Sequence, residues 1–480
     1  MLSYRFRWVF CQLDALRHCF PPNLRQYLNE LPETLDETYE RILKGISKAQ
    51  RDNAHRLLQC LTVAVRPLLV EELAELLAFD FQESSSGGIP TLKEDWRWDD
   101  QEEAILSTCS SLISIIPIDD SRVVQFSHFS VREYLTSSRL ARLPHGDVSR
   151  FRIYLEPAHT IMVQACLATL LGLDEHAGSG NAQMSPLVKY AAEHWVDHAQ
   201  FEKVSSRVRD GMDDLFDSSR PHFAAWLQVY DIDENWFIFS PFSRDGVGSP
   251  LYYAAFSGFY DLAERLITKH PELVNAHGGC NLSPLPAALS RRHLQVANLL
   301  YQHGAVVDVR GSLNCTPLHA ASHHGQVDVM RWLLDHGADP NAQSDSHFPP
   351  LFNAVHPMHL EAVQVLLEHD ADINSQGRDG ETPLYWILSR CSSTAKFVDM
   401  MRLLLEHGAD PNICENNHTS PLHRASSYGL LEAARLLLRH GAKVDAKDGG
   451  GKTPLQVVAS ERSDEMTKLL VEHGALPPSQ

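Results

Sequence analysis

A chain of 480 residues, 44% hydrophobic and 21% charged, has the composition of an ordinary globular protein and is long enough for roughly two to four domains. Its net charge of -19 divides as -5 over residues 1–150, -7 over 151–245 and -7 over 246–480, so no segment offers the basic field that nucleic acid or an anionic membrane requires. The nine cysteines stand singly with no C-x-x-C pair, which excludes a zinc knuckle or disulfide framework and fits a reducing compartment, the cytoplasm or nucleus.

The N-terminus, MLSYRFRWVF, carries arginines inside its apolar run and lacks a small-residue cleavage site, so it does not read as a signal peptide. LPETLDETYERILKGI, residues 31–46, predicts a helix beginning near Pro32, with Leu35, Tyr39 and Ile42 on one face. A second helix runs through HRLLQCLTVAV, and PLLVEELAELLAF supplies a third just after Pro67. The Ser-, Gly- and charge-rich stretch Phe81 to Asp100 reads as a loop. A helix, the strand SLISIIPI, a turn at Asp119 and Asp120, the strand RVVQFSH and a helix opening at FSVREYL follow. Together these give a winged-helix-like pattern over residues 32–142. The longest uncharged apolar-rich run, Ile105 to Ile118, is shorter than the ~18 to 20 residues of a membrane span.

Residues 143–245 read as a helical linker. Within it AEHWVDH places His194 and His198 four apart, but Trp195 stands where H-E-x-x-H needs its general base, so both are expected to be packed or surface histidines. The Asp213 to Asp217 cluster reads as a solvated face. No triad order or nucleophile motif is present, and the expectation is a non-enzymatic chain with no cofactor, metal or small-molecule substrate.

From residue 246 the chain repeats. Prolines of SPL, TPL or PPL fall at 250, 284, 317, 350, 383, 421 and 454, spaced 34, 33, 33, 33, 38 and 33 residues. A second marker, HGA or a near copy, recurs in phase at His303, His336, His369, His407, His440 and His473. Each unit reads as a hydroxyl N-cap, a proline at the first helical position, a short helix, a turn, a Leu-rich second helix and a glycine stop. The marker histidines fall at helix C-termini, where a ring N–H can meet a free carbonyl. The fifth unit is five residues longer, with the excess placed near Cys391 to Phe397 as a tolerated loop insertion or, alternatively, a specificity loop. In the seventh, Gly451-Lys452-Thr453 has the end of a phosphate loop, but Ala446 stands where the first glycine is needed and Pro454 removes an N–H. Thr453 is therefore expected to cap a helix.

TPLHAASHHGQVDVMRWLLDHGADPN, from Thr316, and SPLHRASSYGLLEAARLLLRHGAKVD resemble ankyrin repeats, whose signature is T-P-L-H-x-A. Tyr252, Pro286, Phe352 and Tyr385 depart from it where His319 and His423 stand. Upstream, FRWVFCQLDALRHC, LPETLDETYERIL, RPLLVEELAELLAF and VVQFSHFSVREYL resemble the segment after the nucleoside-triphosphatase core of fungal NACHT proteins of the STAND class, many of which end in ankyrin repeats. SPLVKYAAEHWVDHA and RPHFAAWLQVYDID resemble their helical connector. The resemblance implies that residues 1–31 are a remnant of the helical end of a NACHT module, and that the chain begins after the phosphate loop and the metal-binding acidic segment.

The expected fold is mainly α, an ankyrin-repeat solenoid of seven units over 246–480 preceded by the winged-helix-like domain and the linker. The expected function is a scaffold that binds a protein partner on the concave face of the array, as the sensor part of a STAND-type signalling or non-self-recognition protein. The alternative is a DNA-associated regulator acting through the winged helix. Counting from each anchoring proline puts Phe256, Arg291, His323, His324, His356, Arg390 and Tyr428 at first-helix ends, and Leu313, His347, Arg378, Asp379 and Asn416 at turn tips. These twelve are the candidate partner-binding residues, because the remaining positions are committed to capping and packing.

Overall fold

The computed structural model describes residues 34–81, 88–142, 146–173, 185–233, 248–280, 282–389, 394–458 and 463–476. The chain divides into two compact units, Met1–Ile232 and Asp233–Gln480. The segment 1–31 lies outside the described residues.

In the first unit, helix α1 (Leu35–Gly45) opens on a capping box. Thr34 Oγ1 accepts the N–H of Glu37 at 3.2 Å, and Glu37 in return accepts the N–H of Thr34 at 3.3 Å. Its buried face is Thr38, Tyr39 and Leu43, so the apolar stripe is centred one residue beyond the expected Ile42, which is half-buried. Helices α2 (Arg51–Val63) and α3 (Val70–Leu77) pack on each other, with Leu57, Leu58, Leu73 and Leu76 all fully buried. Helix α4 (Gln101–Cys109) leads into the hairpin of β4 (Ile113–Ile118) and β5 (Ser121–Phe126), and Asp119 in its turn takes a φ of 50°. Helix α5 (Phe129–Thr136) is tied to α1 by a 2.8 Å hydrogen bond between Ser130 Oγ and Tyr39 Oη.

Two pairings are additions to the sequence reading. The dipeptide Leu68–Leu69 forms β1 and joins the hairpin in the order β1-β5-β4, with Leu68 opposite Val124. A small ladder pairs β2 (Phe79–Asp80), just before the stretch expected as a loop, with β3 (Thr91–Leu92) inside it. Beyond this, α6 (Leu155–Leu171) packs on α7 (Val188–Ala199), and α8 (His222–Val229) brings Phe223 and Trp226 against Trp195 and Phe216. Asp214 and Asp217 of the acidic cluster are faced by Arg220, at 2.9 and 3.6 Å.

The second unit is a run of helix pairs. First helices span Pro250–Phe256, Pro284–Ser290, Pro317–His324, Pro350–Val355, Pro383–Leu388 and Pro421–Ser427. Second helices span Tyr260–Lys269, Leu294–Gln302, Val327–Asp335, Leu360–Glu368, Ala395–Glu406 and Leu431–Arg439. A seventh pair shrinks to a short 3₁₀ turn, Pro454–Val457, before Ser463–Glu472. First helices stack on first helices and second on second, giving two layers. The residue after each anchoring proline from Leu251 to Leu422 is at most 1% exposed, because one helix pair cannot bury its own apolar stripe and the next repeat covers it.

Five of the seven second helices stop in the left-handed region, at Gly304, Gly337, Gly408, Gly441 and Gly474, with φ between 86° and 96°, whereas the first ends at His270 with φ -136°. Repeat 4 does this with Asp370 (φ 62°), a residue type that tolerates the conformation. The marker histidines act as expected at four stops: His303, His336, His407 and His473 each bring Nδ1 to within 2.7–2.9 Å of a carbonyl one turn earlier. A ladder not read from the sequence runs alongside. Asn275, Asn341, Asn374 and Asn412 each donate to a carbonyl of the next repeat and accept an N–H from it, for example Asn341 to Asp370 O at 3.1 Å and from Asp372 N at 2.8 Å.

The longer fifth repeat corrects the sequence placement. Residues 390–393 lie outside the described residues, but Phe397 belongs to a helix begun by Thr394 and is 1% exposed. Part of the extra length therefore lengthens the second helix to 12 residues, against nine in its neighbours.

Candidate functional site

The loops between repeats are hairpin-like and are closed by the same bond. Gly311 donates to Cys315 O at 2.9 Å, Ser344 to Phe348 O at 3.2 Å, Gly377 to Glu381 O at 2.9 Å and Asp448 to Lys452 O at 3.0 Å. Adjacent tips are stitched together: Asp345 donates its N–H to Leu313 O, and Asn416 to Asp379 O, both at 2.8 Å. Leu313 is 63% exposed, and its φ of 57° turns the tip outward. His347, Arg378, Asp379 and Asn416 are also exposed, so the five turn-tip candidates share one edge of the array.

At the first-helix ends the outcome is mixed. Arg291, His323, His324 and His356 are exposed and Tyr428 is 42% exposed. Arg390 lies outside the described residues. Phe256 is a correction: it is 2% exposed, because the Arg291 guanidinium lies over its ring at 4.5 Å and Tyr252 stacks beneath. The cation is thus the surface and the ring its support.

Counting six or seven residues from the proline missed a second row, three residues along. Trp386 stands there in repeat 5, half-buried against Phe348 (5.0 Å) and His356 (6.4 Å). Arg424 stands there in repeat 6, its guanidinium between the rings of Tyr385 (5.2 Å) and Tyr428 (5.3 Å). The legible signal was size, since the same position holds Ala287 in repeat 2 and Ala320 in repeat 3.

The Gly451-Lys452-Thr453 segment is one of these loops. Asp448 Oδ1 accepts the N–H groups of Gly450 (2.9 Å) and Lys452 (2.8 Å), which places a carboxylate where a phosphate loop would hold its anion. Lys452 O meets His423 Nε2 at 2.9 Å. Thr453 stands at the N-cap of the 3₁₀ turn, as expected, with Gln456 accepting its N–H at 2.9 Å, but its hydroxyl meets no partner. Thr316 likewise stands at the N-cap of its helix, with its hydroxyl 2.9 Å from His319 Nδ1.

In the first unit His198 is buried, with Nε2 at 2.9 Å from Tyr190 Oη and Nδ1 at 2.9 Å from His159 Nδ1. Burial, reinforced by the neighbouring His159, holds its pKa down to about 3. His194 is half-buried beside Asp197 at 3.1 Å. Helix α4, which would face DNA in the alternative reading, opens with Glu102 and Glu103, and Arg122 of the wing pairs with Glu102. No described helix is long and apolar enough to cross a membrane.

The fold and this surface define a mainly helical ankyrin-repeat protein with an N-terminal winged helix. The ankyrin-repeat family matches residues 251–344, 342–413 and 388–480, and the family described as GPI inositol-deacylase, winged helix domain matches residues 39–143. Over 294 residues the chain is 33% identical to the azaphilone pigments biosynthesis cluster protein L of Monascus ruber, covering 57% of this chain and 60% of that protein. Among solved structures, the ankyrin repeat domain of Bcl-3, described as a unique member of the IkappaB protein family, is 30% identical with a TM-score of 0.43, covering 47% of this chain and 100% of that one. The human ASB11 ankyrin repeat domain is 28% identical with a TM-score of 0.39, covering 48% and 99%.

Proposed function

We propose that the chain is a non-enzymatic scaffold of the cytoplasm or nucleus that holds a protein partner on the first-helix layer and turn tips, the concave side of an ankyrin array. The observation that carries this is the row of exposed Arg, His and Tyr side chains at the first-helix ends of repeats 2, 3, 4 and 6, Arg291, His323, His356 and Tyr428. Such residue types are enriched at interface hot spots. In this reading the winged helix and the linker of residues 143–245 transmit or restrain the position of the array, as the sensor part of a STAND-type protein. The winged-helix match and the resemblance of the upstream segments to NACHT proteins support it. The acidic opening of α4 weighs against direct DNA binding.

Two measurements test the proposal. A photo-crosslinking residue at Tyr428 should capture a bound protein partner, whereas the same residue at Arg435, exposed on the second-helix layer, should not. The reverse pattern would move the site to the other layer. Adding ATP at about 1 mM should leave the unfolding midpoint unchanged. A rise abolished by Lys452→Ala would overturn the non-nucleotide reading of that loop.

A further inference from the structure

The two layers of the array differ in charge. The six first helices and the final 3₁₀ turn contain no aspartate or glutamate at all, in a chain whose net charge is -19. Six of the seven second helices contain at least one. Three second-helix arginines are paired with carboxylates: Arg331 with Glu368 at 3.0 Å, Arg402 with Asp399 at 3.1 Å and Arg435 with Glu432 at 3.4 Å. Arg292, at the turn, pairs with Asp328 of a second helix at 2.9 Å.

Arg424 is different. It is the one arginine inside a first helix, it forms no ion pair with a described residue, and its buried Nε–H meets no acceptor. Two tyrosine rings hold the guanidinium in place instead. A planar fork fixed by aromatic faces keeps its donors directed and loses little side-chain entropy when a carboxylate arrives. Arg291 over Phe256 repeats the device four repeats earlier, and exposed His323, His324 and His356 stand between.

We infer that the partner presents an acidic segment, an extended stretch of polypeptide with Asp or Glu side chains that lies along the first-helix layer of repeats 2 to 6 and places one carboxylate on Arg424. The inference rests on the protein-binding reading above and adds the chemistry of the partner. Tyr428, 42% exposed, flanks the guanidinium and offers apolar contact for the stem of the bound side chain. The acidic second-helix layer repels the same segment, which confines it to one side. Nucleic acid also carries anions, but its phosphates need many cationic contacts, and only isolated guanidinium groups are present here.

The full-length chain would be probed with arrayed short synthetic peptides of random sequence and with a single-stranded oligonucleotide of similar length. Peptides rich in Asp and Glu should be bound preferentially, more weakly as salt rises. Arg424→Gln should lower their affinity about tenfold or more, while Arg435→Gln leaves it unchanged. An unchanged circular dichroism melt for both variants keeps the comparison free of unfolding. Peptides bound without acidic preference but lost on Tyr428→Ala would overturn this inference and leave the protein-binding surface standing. Binding that ignores both Arg424→Gln and Tyr428→Ala but fails on second-helix substitutions would overturn both. Preference for the oligonucleotide would overturn the choice of a polypeptide.

Discussion

At the start of repeat 3 stand Thr316 and His319; at the equivalent places in repeat 4 stand Pro349 and Phe352. In repeat 3 the His319 ring is a polar lock. Nδ1 accepts the N–H of Thr316 at 3.1 Å, and Nε2 donates to Phe348 O at 3.0 Å, pinning the next loop. In repeat 4 a phenyl ring can do neither. Phe352 packs instead on Phe348 at 4.7 Å and lies 6.1 Å from Trp386, and the following loop closes on Glu381, whose carboxylate accepts the N–H of Asp379 at 2.8 Å. The backbone fold is the same in both. What this position must supply is filled volume and satisfied polar groups, and either chemistry supplies them.

The comparison can be broken or sharpened by substitution in the full chain, followed by urea titration. The largest loss is expected for Phe352→Ala, about 3 to 5 kcal/mol, because a buried ring is replaced by a cavity that its neighbours cannot fill. A loss no greater than that of Thr316→Ala would mean that the aromatic junction contributes nothing beyond ordinary contact. Leu333→Ala and Leu366→Ala, at the same place in the two second helices and both 0% exposed, should each cost about 2 to 5 kcal/mol. Clearly unequal values would place the difference between the repeats in this shared layer.

The third expectation concerns pH. Burial lowers the pKa of His319 from 6.5 to about 4, so between those values the folded state binds fewer protons than the unfolded one. The resulting stability is fully present above about pH 6.5 and is lost as pH falls toward 4, by roughly 3 kcal/mol. His319→Phe, which copies repeat 4, should flatten this part of the profile, and an unchanged acid slope in the variant would contradict the lock. The smallest effect is expected for Thr316→Ala. It removes the hydroxyl beside His319 Nδ1 but leaves the backbone bond to the ring, and should cost about 0.5 to 2 kcal/mol.

The array was legible in the sequence because its signals are local and repeated. A proline at the first helical position, a residue that can take positive φ at the stop and a leucine after each proline act within one helix pair, and their phase fixes the register. The winged helix was legible to a lesser degree: the β4–β5 hairpin follows from alternation and a two-residue turn, whereas Leu68–Leu69 becomes a strand only because Val123 and Val124 offer it an edge. Tertiary structure alone decided that Phe256 is buried beneath Arg291, that Phe397 extends a helix, that an asparagine ladder joins successive repeats and that Arg424 rests between two tyrosines. Each of these depends on a partner in a neighbouring repeat or on how a length change is absorbed. Periodicity places residues in phase, but burial and hydrogen bonding are fixed by the particular side chain that the neighbouring repeat brings alongside.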